Sequence, residues 1–408
     1  DPEIVGEKWK DMWMERLEGS GLWLKKWLEH QRFDDYWKHA SVYLNYDNIQ
    51  CPVYAVGGWA DGYSNAVFRL MENLKVPRKG LIGPWGHKFP RLGGPGPTID
   101  FLSEALRWWD RWLKGIKNGI NEEPMLRTWM QDTVSPVSEK RPGSWVAERE
   151  YPSKNIMQKK LKLKNGEIDI DGNLPEYNHP IKIQSPLSVG LFAGKWCSYS
   201  AFTDLPSDQR EEDGGAIIFD TLPLKEGIDI LGDTELTLSL TSDKPAAMIA
   251  ARISDVAPNG RATRITYGVL NLTHRNSDEN PEYLNPGEKY KISFKLNHIA
   301  QHFRAGHKIR LSLSTSYWPL VWPSPEPATI TIQPNESFLT LPIRRDGKED
   351  GLLNDLGKPD LTDVMPSTLI VPPKREWQVI HNLATNEVTL HVTNNDAQYK
   401  IDPINWTV

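Results

Sequence analysis

The stretch that decides the fold is PVYAVGGWADGY, residues 52–63. It opens with a short, uninterrupted apolar run, which is typical of a parallel strand buried on both faces of its sheet. Ser64 then offers an N-cap for a helix, and a second short strand lies within KGLIGPWGH, residues 79–87. Because a helix separates the two strands, the sequence predicts a parallel pair in an α/β sheet. The inward face of that helix would consist of Val67, Leu70, Met71 and Leu74.

Each of the two strands is followed by a residue that can take part in acid–base chemistry. Asp61 follows the first strand, and His87 follows the second. Because catalytic groups in open α/β sheets collect at the carboxyl ends of strands, we expect these two side chains to meet. A carboxylate that accepts the imidazole Nδ1–H fixes the tautomer and stabilises the imidazolium. A single Asp after a strand is usually a turn residue and a single loop His a surface group, so the prediction of catalysis depends on the pair.

Residues 1–48 are predicted to form a helical segment. Residues 49–140 are predicted to form the α/β segment. Trp9, Met12, Trp13 and Leu17 recur at helical spacing in the first range. Two interpretations stay open for these apolar residues: packing in a core, or a helical cap whose inner face lines an apolar pocket. The second range ends with a helix from Ile99 to Lys114, capped by Thr98. Its predicted inward residues are Phe101, Leu102, Ala105, Trp108, Trp109 and Trp112.

Residues 141–408 change to a β pattern. Alternating apolar residues, as in Leu236, Leu238 and Leu240, are separated by turn signals such as Pro258-Asn259-Gly260. Many short strands predict an antiparallel β-sandwich, and a jelly roll is the favoured topology.

Composition excludes several classes of protein. The 408 residues carry a net charge of −5, so no basic surface for nucleic acid is expected. There is no apolar run of 18 residues, so no transmembrane helix is expected. Of the two cysteines, Cys51 opens the apolar strand and is predicted to be a buried free thiol rather than half of a disulfide.

No metal or cofactor is predicted. His302 and His307 suit a hairpin rather than a metal site, because Gly306 lies between them and their spacing is not i, i+4. The acidic stretch 208–213 is interpreted as a solvated loop or as a salt bridge to Arg210 rather than a calcium site.

The motifs around the Asp and the His resemble those of a known family. GGWADGY (57–63) and LIGPWGH (81–87) are similar to the acid and histidine motifs of the cocaine esterase / X-prolyl dipeptidyl-peptidase-like serine hydrolases. The resemblance continues through WWDRWLKG (108–115) and into the β region, at LPSDQR (205–210), FDT (219–221) and GHKIRL (306–311). It implies an α/β-hydrolase core with an inserted helical cap, followed by a C-terminal jelly-roll β-sandwich. It also implies that Asp61 is the triad acid and His87 the general base.

The chain departs from the family at the nucleophile. The family's serine lies in a Gly-x-Ser-x-Gly-like strand-to-helix elbow, and nothing here matches it. Ser20 lies between helices, Ser64 caps a helix, and Ser198 and Ser200 belong to the β region. We therefore expect an incomplete α/β-hydrolase core and roughly 150–250 further residues before Asp1, which would contain the serine and the oxyanion hole.

The expected function is a serine hydrolase that acts on an ester, an amide or a short peptide such as an X-Pro dipeptide. Trp59, Tyr63 and Trp85 either line an apolar acyl pocket or pack the sheet edge. The expected partners are the small-molecule substrate and the N-terminal segment of the same protein, with no nucleic acid and no membrane; the sequence leaves the oligomeric state open. Two alternatives remain: a jelly-roll binding module, for example for carbohydrate, and a degenerate hydrolase that acts as a scaffold.

Overall fold

The computed structural model describes residues 2–175, 178–199, 201–360, 366–401 and 404–407. Helices are few, and most of them lie in the first third of the chain. The α-helices are α1 (Pro2–Val5), α2 (Trp9–Gly19), α3 (Trp23–Glu29), α4 (Asp35–Lys38), α5 (Ser64–Asn73), α6 (Phe101–Lys114) and α7 (Arg210–Asp213). Short 3₁₀ turns occur at Gly6–Lys8, Val42–Leu44, Tyr46–Asn48, Phe202–Asp204, Leu272–His274, Pro334–Glu336 and Asp350–Leu352.

Strands make up most of the remaining regular structure. The first nine are β1 (Val53–Gly58), β2 (Arg78–Gly83), β3 (Leu126–Gln131), β4 (Gly143–Glu148), β5 (Ile156–Lys164), β6 (Glu167–Asp169), β7 (Ile181–Ile183), β8 (Ile217–Asp220) and β9 (Ile228–Gly232). The next eight are β10 (Glu235–Ser242), β11 (Met248–Val256), β12 (Ala262–Asn271), β13 (Lys289–Lys295), β14 (Ile299–Phe303), β15 (Lys308–Ser314), β16 (Ile330–Ile332) and β17 (Phe338–Arg344). The last five are β18 (Thr368–Val371), β19 (Lys374–Asn382), β20 (Glu387–Asn395), β21 (Gln398–Ile401) and β22 (Ile404–Thr407).

The α/β part is a short sheet in the order β1-β2-β3-β4. Strands β1, β2 and β3 run parallel, and β4 pairs with β3 in the antiparallel direction. Helix α5 crosses over between β1 and β2, and its apolar residues Val67, Phe68 and Met71 are buried. The predicted strand–helix–strand unit is confirmed, except that Ser64 is the first helical residue and makes no capping hydrogen bond.

Gly58 is required where β1 ends. A Cβ at this position would lie 2.0 Å from the carbonyl oxygen of Trp85, so no other residue fits without moving the backbone. This close approach lets the Trp59 N–H donate to Gly83 O and the Ala60 N–H donate to Trp85 O, at 2.9 and 3.0 Å. The loops that follow β1 and β2 are therefore held together directly before Asp61 and His87.

Helix α6 corrects the sequence analysis in two details. It begins at Phe101, and its cap is the Asp100 carboxylate, which accepts from the Ser103 N–H, rather than Thr98. Trp108 is buried as predicted, but Leu102 and Trp109 are exposed. A helix turns about 100° per residue, so Leu102 and Trp109 lie on the flank of the face that holds Phe101 and Trp108 and cannot share its contact with the sheet.

The N-terminal segment is helical, as predicted, but its apolar side chains do not form a core. Helices α1 to α4 contain no buried residue. Trp13, Trp23 and Trp27 are all about half exposed or more. These residues therefore do not pack in a core within the described part of the chain, and the interpretation as a helical cap over an apolar pocket stays a prediction.

The β region consists mainly of antiparallel strands around a large apolar core. One set of paired strands is β5–β17–β10–β13, and the other is β8–β15–β11–β12. Alternating residues of both sets meet in a single buried cluster, which includes Leu238, Ile253, Leu311 and Leu339. The predicted β architecture is confirmed, while its jelly-roll topology and the three domain boundaries stay predictions.

The α/β and β parts are joined by shared core and by one strand contact. Gln131 of β3 pairs with Gln301 of β14. A second apolar cluster combines Phe68 and Leu126 of the α/β part with Leu231 and Ala300 of the β region. The two parts therefore share an apolar interior, and residues of the β region come close to the ends of β1 and β2.

Three smaller predictions can be compared with the structure. Cys51 is a free thiol but is exposed, because it precedes β1 rather than lying in it. The segment between His302 and His307 is a tight turn with Gly306 at a positive φ (81°), but it is not the predicted hairpin, because β14 pairs with β9 whereas β15 pairs with β8 and β11. Arg210 pairs with Asp208, but Glu212 and Asp213 are buried and not part of a solvated loop.

No helix in the described part of the chain has the length and apolar character needed to cross a membrane.

Candidate active site

Asp61 and His87 meet at the carboxyl ends of β1 and β2. His87 Nδ1 lies 3.0 Å from Asp61 Oδ2. The side chain of Asp61 is 13% exposed and that of His87 is 46% exposed, so the carboxylate lies behind the imidazole as seen from solvent. Because the carboxylate engages Nδ1, Nε2 is the ring nitrogen of His87 that is left to act as a base on a nucleophile.

The second carboxylate oxygen of Asp61 is also engaged. Oδ1 accepts the Tyr63 backbone N–H at 3.1 Å, and the Cys197 Sγ lies 3.6 Å from it. The Tyr63 contact comes from the tight turn that follows β1, so the local chain alone orients one oxygen. The two oxygens of Asp61 therefore have separate roles: one faces the imidazole, and the other faces donors from the protein.

Four other His–Asp contacts exist in the described residues, so the contact alone does not identify a site. Two of them are local i, i+4 pairs, and two lie in the β region; they are His30–Asp34, His274–Asp278, His302–Asp229 and His307–Asp255. Only Asp61 and His87 lie at the ends of neighbouring parallel strands, the place where α/β sheets bind ligands. The sheet topology is therefore what distinguishes this pair.

The three predicted pocket residues have different environments. Tyr63 is exposed, and its ring centroid lies 5.8 Å from that of His87, so it borders the site. Trp59 is half-buried, donates from Nε1 to Trp129 O at 2.8 Å, and stacks on Phe68. Trp85 is 1% exposed, so it belongs to the core and not to an open pocket. Its Nε1 donates to Pro97 O at 2.7 Å, which explains how the indole is accommodated there.

A polar cavity of about 90 Å³ lies beside the loop that contains Asp61, between the α/β part and the β region. Its lining includes Asp61, Arg141, Lys195 and Arg264. Burial and the positive charge of Arg264 lower the pKa of Arg141 to about 10. Because its walls carry hydrogen-bonding groups, the cavity is suited to ordered water.

Cys197 and Ser198 contact the site although nothing in the sequence predicts a role for them there. Both come from a loop of the β region, more than a hundred residues away from the acid and histidine motifs along the chain. The Ser198 N–H donates to Ala60 O at 3.0 Å, and the His87 N–H donates to Ser198 O at 2.6 Å. No local sequence pattern predicts this contact, because it forms only when the β region packs against the α/β part.

In the described part of the chain, one group of side chains has ligand atoms close enough together to hold a metal ion. It consists of Asp61, His87 and Cys197. One ligand atom from each lies within 4.8 Å of the others. The Asp61–His87 hydrogen bond already uses two of these atoms, and a bound cation would have to break it. The donor set therefore fits a hydrogen-bonded pair better than a resident metal.

The candidate serines that the structure describes make no hydrogen bond to the imidazole. Ser64 is buried as the first residue of α5, and the Ser198 Oγ lies 3.4 Å from Asp204 Oδ2. Ser20 follows α2 in the exposed N-terminal segment, and Ser200 lies outside the described residues. Among the described residues, no serine hydroxyl hydrogen-bonds to the His87 ring.

Comparison with protein families gives two matches. Residues 118–380 match the X-Pro dipeptidyl-peptidase C-terminal non-catalytic domain, which is more than half of the chain. Residues 3–89 match the X-Pro dipeptidyl-peptidase (S15 family), and this range contains both Asp61 and His87.

Individual relatives agree with these matches. Cocaine esterase of Rhodococcus sp. (strain MB1 Bresler) is 20% identical over 315 residues, which cover 72% of this chain and 53% of the relative. A CocE/NonD family hydrolase from Staphylococcus aureus superposes with a TM-score of 0.61 at 14% identity, covering 79% of this chain and 59% of that one. An α-amino acid ester hydrolase superposes with a TM-score of 0.60 at 18% identity, covering 82% of this chain and 62% of that one.

The two structural likenesses establish the fold, and the family matches establish the kinship. The chain spans about half the length of the curated relatives it matches. The resemblance noted in the sequence is thereby confirmed: this chain belongs to the family of serine hydrolases that includes cocaine esterase and the X-Pro dipeptidyl-peptidases.

Proposed function

We propose that this chain supplies the acid and the general base of a serine hydrolase that cleaves an ester or amide bond. The observation that carries the proposal is the 3.0 Å contact between His87 Nδ1 and Asp61 Oδ2 at the ends of β1 and β2. The serine comes from residues of the same protein outside this chain.

The proposed mechanism proceeds through an acyl-enzyme. His87 Nε2 accepts the serine proton as the serine oxygen attacks the substrate carbonyl, and it then protonates the leaving alcohol or amine. Water, deprotonated by the same nitrogen, hydrolyses the acyl-enzyme and regenerates the serine. Throughout, Asp61 holds the imidazole by Nδ1–H and stabilises the cation that forms in each half-reaction.

Two features support a nucleophile from outside the chain. Strand β1 pairs with β2 on one side, and within the described residues no strand pairs with its other side. A parallel strand with an open edge is unusual, since such sheets are normally covered and extended by further β–α units. The open edge leaves room for the strands that would carry a nucleophile elbow.

Helix α6 also leaves an apolar flank uncovered. Leu102, Leu106, Trp109 and Leu113 recur at helical spacing, and all are more than half exposed. A contiguous apolar stripe on a folded helix usually marks a contact surface. Further residues of the hydrolase core would cover it, as they would cover the N-terminal helices.

The binding-module and scaffold alternatives are not favoured. Cocaine esterase and the amino acid ester hydrolase are enzymes by name, and the acid and histidine motifs are intact in this chain. We therefore propose an ester, an amino acid ester or an X-Pro peptide as the substrate class. The exposed Tyr63 ring would form part of the apolar wall beside the scissile bond.

This assignment predicts that the isolated chain has no esterase activity. The purified 408-residue chain should hydrolyse p-nitrophenyl acetate at the same rate as its His87→Ala variant, because no serine hydroxyl in the described residues hydrogen-bonds to the imidazole. The longer protein that includes the serine should show a rapid initial release of p-nitrophenol followed by steady turnover. Activity in the isolated chain that disappears in His87→Ala would contradict the proposal, because the nucleophile would then lie within these residues.

A further inference from the structure

Residues 196–199, which we call the strap, lie between the loop of the acid and the loop of the histidine. Ser198 bridges the two loops through its own backbone: its N–H donates to Ala60 O, and its C=O accepts from the His87 N–H. These bonds measure 3.0 and 2.6 Å. Through them, the backbone of Ser198 links the loop after β1 to the loop after β2. The distance between Asp61 and His87 therefore depends on a residue of the β region.

Cys197 contacts the carboxylate itself. Its Sγ lies 3.6 Å from Asp61 Oδ1, the oxygen that does not face the imidazole. Burial raises the pKa of the Cys197 thiol, and the negative charge of Asp61 acts in the same direction. The sulfur is therefore protonated at neutral pH and can donate its S–H to Asp61.

Aromatic rings fix the two ends of the strap. The Trp196 indole packs so closely on Gly62 that a Cβ there would lie 2.5 Å from the ring. Trp196 also meets the Tyr63 ring edge-on, at 5.1 Å between centroids. At the other end, the Tyr199 ring lies 5.4 Å from that of His87.

The strap is anchored to the β region by Asp204. Lys195 pairs with Asp204 Oδ1 at 2.6 Å, and the Tyr199 N–H donates to Asp204 Oδ2 at 3.0 Å. Asp204 is buried, so these contacts lie in a low-dielectric environment where they are strong. The strap is thus anchored in the β region as well as to the two motifs that it touches.

We propose that the strap positions the catalytic pair, and that Cys197 is a positioning residue which holds Asp61 with Oδ2 toward His87. Cys197 and the Tyr63 N–H occupy Oδ1 together, so the carboxylate cannot rotate without losing both donors. This inference rests on the proposed function. It assigns a role in catalysis to a segment of residues 118–380, which match a domain described as non-catalytic.

The test compares three single variants. Cys197→Ala removes the donor, Cys197→Ser keeps a donor of similar shape, and Cys51→Ala removes the other free thiol, which is exposed and lies outside the site. In the longer, serine-containing protein, Cys197→Ala should lower kcat roughly tenfold with little change in KM, which is the scale of one hydrogen bond to a charged group. Cys197→Ser should recover most of kcat, and Cys51→Ala should match the unmodified protein.

A spectroscopic measurement on the 408-residue chain tests the geometry without any activity. In ¹⁵N-histidine-labelled chain, the His87 Nδ1 proton should resonate far downfield and exchange slowly with water, because Asp61 accepts it. Cys197→Ala should shift this resonance and speed its exchange, whereas Cys197→Ser and Cys51→Ala should leave it in place. A variant that merely loosened the fold would instead shift many histidine resonances together.

Two outcomes overturn the inference. An unchanged kcat and an unchanged resonance in Cys197→Ala would show that the thiol does not position Asp61. Equal losses in Cys197→Ala and Cys197→Ser would show that packing, and not the donor, matters. Failure of the proposed function gives a different result, because His87→Ala would then leave hydrolysis intact whatever the state of Cys197.

Discussion

Replacement of His87 by Ala should lower kcat/KM of the longer, serine-containing protein by roughly 10⁴-fold or more. Without the imidazole, no base accepts the serine proton, and the residual rate reflects binding and oxyanion stabilisation alone. The fold should be unaffected, because the His87 side chain is 46% exposed and Asp61 retains its Tyr63 and Cys197 donors. Steady-state hydrolysis and far-UV circular dichroism, measured on the same preparation, check both parts.

His302→Ala is a matched control for this experiment. His302 also pairs with an aspartate through Nδ1, at 2.5 Å from Asp229 Oδ1, and its exposure is similar. It lies in β14, away from the ends of β1 and β2, so its loss should leave kcat/KM within about twofold. Equal effects of the two variants would show that the Asp61–His87 pair has no special role.

Replacement of Arg252 by Met should reduce the free energy of unfolding by about 3–5 kcal/mol. Arg252 and Glu212 form an ion pair whose side chains are both 0% exposed, and Asp213 Oδ1 lies 3.5 Å from the same guanidinium. Removal of the cation leaves the buried Glu212 carboxylate without its counter-charge, whereas Asp213 keeps its ion pair with Arg310, and an unpaired buried charge costs more than the pair contributes when it is intact. Urea unfolding of the 408-residue chain, followed by tryptophan fluorescence, measures the change.

The control for this prediction is Arg304→Met. Arg304 pairs with Asp132 at 2.5 Å, but its side chain is 52% exposed, so the loss should be no more than about 1 kcal/mol. A loss below 1 kcal/mol for Arg252→Met would show that Glu212 is stabilised without the arginine.

The Arg252 variant should also affect the site. Glu212 Oε1 accepts the Gly190 and Phe192 N–H groups, at 2.9 and 2.7 Å, and these residues begin the loop that leads to the strap. If Glu212 moves in this variant, the loop loses an anchor. The stability of the β region and the geometry of Asp61 and His87 are therefore linked through one buried carboxylate.

The α/β unit and the pairing of Asp61 with His87 could be predicted from sequence. Their determinants are local: an apolar run, a helix of the right length, a second apolar run, and a polar residue after each strand. A parallel crossover leaves little freedom in where such residues meet, so the pattern is sufficient to place them at one edge. The alternation of apolar residues was likewise sufficient to predict the β region.

The burial of particular aromatic residues could not be predicted as well. Trp108 and Trp109 are neighbours in sequence, yet Trp108 is buried and Trp109 is 54% exposed, because the sheet covers only one side of α6. Trp85 was a candidate for the pocket and proved to be core, since its indole is enclosed and its N–H is satisfied by Pro97 O. The sequence shows that these residues are apolar. Whether another element covers a given residue depends on tertiary packing, which the sequence pattern does not show.

The contacts of the strap could not be predicted from the sequence. Cys197 and Ser198 have no motif around them, and their contacts with Asp61, Ala60 and His87 join residues that are more than a hundred positions apart. These contacts depend on how the β region docks on the α/β sheet. The pairing of Asp61 with His87 could therefore be predicted, whereas the residues of the β region that contact this pair could not.

The measurement that tests the account most directly is the mapping of a fluorophosphonate adduct on the longer, serine-containing protein. Such a probe reacts with a serine that an adjacent histidine activates, and peptide mass spectrometry locates the adduct. We expect one labelled serine, outside this 408-residue chain, and we expect labelling to be lost in His87→Ala but kept in His302→Ala. A labelled serine within these 408 residues, or undiminished labelling in His87→Ala, would contradict the claim that Asp61 and His87 serve a nucleophile supplied from outside this chain.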